Sequence, residues 1–118
     1  GNYQLSAIKF TRVSKISKGA FRDCYNLEFV EFPTACNFSI ESKAFKHTAL
    51  KKVVLPPTVT AVAKDAFLDC AELREIVVQY DKNTEKRAAK LAKKIKRESI
   101  IRMKISKNTL IQALYMTQ

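Results

Sequence analysis

An Ala-Phe pair recurs in phase at Ala20-Phe21, Ala44-Phe45 and Ala66-Phe67, and this recurrence constrains the chain to a repeat architecture. Phe21 and Phe45 are 24 residues apart, and Phe45 and Phe67 are 22 apart. Each pair sits inside a longer apolar frame. The first copy runs Ile16, Ala20-Phe21, Cys24, Leu27, Val30, Phe32-Pro33. The second runs Ile40, Ala44-Phe45, Thr48, Leu50, Val53, Leu55-Pro56, and is one residue short between Phe45 and Leu50. The third runs Val62, Ala66-Phe67, Cys70, Leu73, Ile76, Val78. A half-copy precedes them, with Leu5, Ile8 and Phe10 matching Leu27, Val30 and Phe32.

Each copy ends in a Leu-x-x-Val-x-Phe alternation, which predicts a short strand. Pro33 and Pro56 follow directly and stop it, because proline offers no ladder donor. The Ala-Phe-x-x-Cys stretch predicts a short helical or irregular turn with its apolar side inward. A single copy cannot bury its own stripe; stacked copies can, by layering Phe on Phe and Leu on Leu.

On these residues the chain resembles the BspA-like class of leucine-rich repeats, from Leu5 to about Val78. It departs from that pattern at Thr48, where the class has cysteine, and at Gln79, where it has proline. The resemblance implies a solenoid of short parallel strands joined by irregular or short helical turns. It also implies recognition of proteins or surfaces, with adhesion common among relatives and a cell-surface setting. It brings no catalytic residues.

The charge is uneven. Residues 1–80 hold eleven Lys+Arg and eight Asp+Glu, whereas residues 81–118 hold eleven and three. The division predicts a solenoid of about three and a half repeats over 1–80 and a basic capping region over 81–118. Asn83 or Thr84 is placed to begin a helix, with Glu85 in its first turn. Ala88, Leu91, Ala92 and Ile95 form its apolar stripe and cap the last repeat. Ile101, Met103 and Ile105 alternate as a further strand. A short helix is expected after Asn108 or Thr109, with Leu110, Ile111, Leu114 and Tyr115 apolar.

Candidate chemistry is sparse. Cys24 and Cys70 hold equivalent positions and read as small core residues. Two rungs at strand spacing put them roughly 9–10 Å apart, too far for a disulfide. Cys36 lies off the repeat pattern, in a loop, and is the best-placed reactive thiol. His47 is the single histidine and reads as a surface loop residue. No nucleophile-base constellation, Gly-rich phosphate loop or cysteine pair at zinc spacing occurs, so the chain is expected to be non-enzymatic, without metal or cofactor.

Two surfaces remain. The outward strand positions stack into columns, and Phe29, Glu31, Lys52, Val54, Arg74, Glu75 and Val77 form the expected partner-binding face. An exposed Phe29 beside Val54 and Val77, rimmed by charge, suits a protein partner. The alternative is the basic helix face of Lys86, Arg87, Lys90, Lys93, Lys94 and Arg97, which suits nucleic acid or another anionic surface. It lacks the interleaved aromatics that stack single-stranded bases. Exposed repeat ends allow self-association. No apolar run reaches transmembrane length. The opening Gly1-Asn2-Tyr3 is not a signal peptide, though a cleaved one would leave such a start. A cytoplasmic setting is as compatible with the chain as the cell surface.

Overall fold

A computed structural model of the chain describes residues 4–95, 97 and 100–108. In chain order the elements are β1 (Ala7–Lys9), β2 (Lys15–Ile16), β3 (Phe29–Glu31), β4 (Phe38–Ile40), β5 (Lys52–Leu55), β6 (Val59–Val62), β7 (Glu75–Tyr80), α1 (Glu85–Lys94) and β8 (Arg102–Lys107). All strand pairing is parallel, as stacked repeats require.

The strands form two rows on opposite sides of the core. One row runs β2–β4–β6. The other holds β1–β3 and β5–β7–β8, with β3 lying beside β5. The break in the second ladder falls between β3 and β5, at the copy that is one residue short. The turns also bond from rung to rung: Phe21 N donates to Ala44 O at 2.8 Å, and Phe45 N to Ala66 O at 2.9 Å.

The core is the repeat read crosswise. Phe21, Phe45 and Phe67 stack with centroid spacings of 5.4 and 5.5 Å and near-parallel rings. Phe10, Phe32 and Phe38 stack in a second pile. Leu27, Leu50 and Leu73 are fully enclosed. Each such side chain contributes about 1.5–3 kcal/mol by leaving water. Pro33 and Pro56 stand just past β3 and β5, where the sequence predicts strand ends. The Cys24, Thr48, Cys70 column is buried and all three cysteines are free. The Thr48 hydroxyl, the departure from the family pattern, lies 3.3 Å from Cys70 Sγ, so its burial leaves no orphan polar atom. Gly19 occupies a turn at φ +63°, a conformation that costs glycine nothing.

Helix α1 packs against β6, β7 and β8 through Ala88 and Leu91, with Ile95 just beyond its end. It extends the β2–β4–β6 row and carries the chain over to β8. The strand predicted around Ile101–Ile105 forms as β8 and pairs with β7 over six residues, so a further rung follows α1. Thr84 stands at the N-cap but caps nothing with its side chain. Its hydroxyl instead donates to Asp81 Oδ1 and accepts from Asp81 N, tying the turn before the helix. The short helix expected after Asn108 lies outside the described residues.

Candidate functional site

The outer strand face is built by period-two alternation. Val53 and Leu55 point inward and are fully buried, so Lys52 and Val54 point out. Register aligns Ala7 with Phe29, Lys9 with Glu31, Lys52 with Glu75, and Val54 with Val77. Strand β8 adds Arg102 beside Glu75 and Lys104 beside Val77, two positions absent from the sequence-based columns.

Phe29 is 61% exposed and Val54 36%. Val77 corrects the expectation: it is only 6% exposed. It lies on the central strand β7, flanked in register by Val54 and Lys104, and the flank from β8 was not part of the sequence-based face. The charges of the face pair with one another. Lys9 Nζ lies 3.7 Å from Glu31, Lys51 3.7 Å from Glu28, and Lys52 3.5 Å from Glu75, which also meets Arg102 at 3.8 Å. Arg74 folds back, its Nη1 donating to Ala71 O at 2.8 Å and to Leu73 O at 3.1 Å.

The six basic residues of the alternative site divide into two sets. Lys86, Lys90, Lys93 and Lys94 are exposed and share one side of the helix. Arg87 is half-buried, and its Nη2 donates to Pro57 O at 2.7 Å, pinning α1 to the β5–β6 loop. Arg97 Nη1 donates to Ile101 O at 2.6 Å and braces the approach to β8. These two guanidiniums are engaged in holding the fold, a role helical spacing does not reveal.

One cluster escaped the sequence reading. His47 is half-buried between two carboxylates on neighbouring turns: Nδ1 donates to Asp23 Oδ1 at 2.9 Å, and Nε2 stands 3.4 Å from Asp69 Oδ2. The bond from His47 holds the Asp23 carboxyl below its ordinary value, outweighing partial burial and helped by the charge of Arg22. All three residues have positive φ, between 57° and 62°. The signal was present in the sequence, since each stands two residues after a repeat phenylalanine. Among the described residues, no group of three His, Cys, Asp or Glu is arranged to hold a metal ion. Cys36 Sγ lies 3.6 Å from Val13 O and is half-buried, whereas burial raises the Cys70 thiol despite the nearby Thr48 hydroxyl.

No helix among the described residues is long and apolar enough to cross a membrane. Searches of curated proteins and of solved structures find no match. The family model for the BspA type leucine rich repeat region matches residues 1–111 in six copies. Apolar spacing alone gave three and a half copies over 1–80. Leucine-rich-repeat solenoids are generally protein-interaction scaffolds and typically non-enzymatic. With its parallel rungs, its stacked phenylalanines and this match across most of its length, the chain belongs to the BspA-type leucine-rich-repeat family.

Proposed function

We propose that the chain binds a protein partner through the outer strand face, with Phe29 as the anchor and Val54 beside it. The exposure of Phe29 carries this reading. An aromatic ring left mostly in water, on β3 beside the strand β5 that exposes Val54, offers apolar surface that a partner can dehydrate. The paired charges around it, Lys9–Glu31 and Lys52–Glu75–Arg102, form a polar rim that sets orientation more than affinity. Glu31, Lys52, Arg74 and Glu75 belong to that rim, and Val77 forms its floor.

The test compares the unaltered chain with Phe29→Glu and Val54→Lys in affinity capture, with quantitative mass spectrometry of the retained proteins. A partner lost from both variants supports the reading. Retention of every partner by both variants sinks it. A second reading rests on the exposed Lys86, Lys90, Lys93 and Lys94, which suit phosphates without base readout. Fluorescence anisotropy with labelled DNA and RNA tests it. Binding that persists at physiological salt and is lost in Lys90→Glu/Lys93→Glu/Lys94→Glu favours it over the strand face.

A further inference from the structure

The chain has five asparagines, and one stands in an acceptor context for a sugar. Asn2, Asn26, Asn83 and Asn108 have Gln4, Glu28, Glu85 and Leu110 two residues on. Asn37 alone has a hydroxyl there, in Asn37-Phe38-Ser39, with no proline between. Asparagine-x-serine/threonine is the acceptor sequence for N-linked glycans, which are bulky and need an open surface position. So short a triplet occurs often by chance; its place in the fold decides whether it can act.

Asn37 closes the loop that carries the chain from β3 across to β4, and it is exposed. The next residue, Phe38, is 1% exposed and stacks on Phe32 with a centroid spacing of 5.4 Å. That ring anchors the triplet in the core, and alternation turns its two neighbours outward. Ser39 stands on β4, in register with the exposed Lys15 and Ala61 of the flanking strands. Among the described residues, nothing hydrogen-bonds the Asn37 carboxamide or the Ser39 hydroxyl. Thr58, one rung on from Asn37, does hold the fold: its hydroxyl donates to Pro33 O. Asn37 has no such duty. It opens beside Thr34, Pro56, Pro57 and Thr58, all uncharged, so a sugar on its Nδ2 displaces no ion pair.

We propose that Asn37 is the acceptor of an N-linked oligosaccharide. The donor is an oligosaccharide on a lipid pyrophosphate, and a membrane-bound oligosaccharyltransferase makes the transfer. Asn37 Nδ2 bonds to sugar C1 as the C1–O bond to the pyrophosphate breaks. The lipid pyrophosphate leaves with the bonding electrons, and Nδ2 gives up one proton to a base. The Ser39 hydroxyl is the feature by which the transferase selects Asn37. The glycan then stands on the β2–β4–β6 side and leaves the opposite row, with Phe29 and Val54, open. This assignment does not depend on the Phe29 reading. Cys24 and Cys70 are buried, which shields their thiols along an oxidising secretory route.

The test makes the full chain in a eukaryotic cell line behind a cleavable secretion signal. Intact mass is measured on all chain from which the signal has been removed, secreted or retained. Peptide N-glycosidase is then applied to the native protein in heavy-oxygen water, which leaves a labelled aspartate wherever a glycan stood. The unaltered chain is expected to carry a glycan and to show the label at position 37. Asn37→Gln and Ser39→Ala should lose it, and Ser39→Thr should keep it. Ser39→Ala leaves Asn37 exposed, so it separates selection of the triplet from mere access to the asparagine. Signal-processed chain with unmodified Asn37 overturns the proposal. A glycan that survives in Ser39→Ala overturns it too, as does one released only after denaturation, because Asn37 would then not be the open acceptor. The label in the unaltered chain decides the question even if a variant is not produced.

Discussion

His47 Nδ1 reaches across one rung of the solenoid to Asp23 Oδ1, 2.9 Å away, joining residues that occupy the same place in successive repeats. The bond has a pH signature. Asp23 is held below its ordinary value, so it contributes stability above the unfolded carboxylate value of about 4 and loses it as pH falls through its lower folded value. Thermal melts of the unaltered chain and His47→Ala should differ at neutral pH and converge in that acidic window. A gap that stays constant down to the most acidic folded condition would show that Asp23 is not the linked group.

The stacked rings predict the largest loss. Phe45 is fully buried between Phe21 and Phe67 and meets Phe32 edge-on. Phe45→Ala should cost about 3–5 kcal/mol in urea unfolding, through lost burial and the cavity left behind. Loss of less than about 1 kcal/mol would mean the stack is not packed as described.

Arg87 and Lys90 lie one turn apart on α1 but should behave differently. Arg87→Ala removes the charge-assisted bond to Pro57 O and should cost about 1.5–3 kcal/mol. Lys90→Ala, on the exposed face, should stay within about 0.5 kcal/mol. Equal effects in the same unfolding assay would remove Arg87's structural role.

The cysteines should separate by access. Cys36 is half-buried in a loop, whereas Cys24 and Cys70 are buried and Cys70 is pushed toward its thiol form. A disulfide exchange reagent should label Cys36 alone in the native chain and all three after denaturation. Native labelling of Cys70 at the rate of Cys36 would contradict the closed column.

Phe29→Glu should leave the melting curve nearly unchanged, within about 0.5 kcal/mol, because the ring already faces water. A loss well beyond that would mean Phe29 packs against its own chain, and the proposed anchor would fail.

By itself the sequence determined the stack. The in-phase Ala-Phe pairs, the Leu-x-x-Val-x-Phe alternation and the prolines after it settle which residues point inward, because strand alternation is local and each copy must bury the same stripe. The same periodicity made Phe29 and Val54 legible as exposed. Tertiary structure decided whatever depends on the neighbouring rung, 22 to 25 residues away. It buried Val77 on the central strand, since β8 adds Lys104 at its side. It committed Arg87 and Arg97 to backbone carbonyls, since helical spacing tells which side chains share a face but not which carbonyl lies opposite. It placed His47 between Asp23 and Asp69. It also set the partner and register of the strand expected around Ile101–Ile105, because β8 pairs with β7 through backbone groups that every sequence possesses.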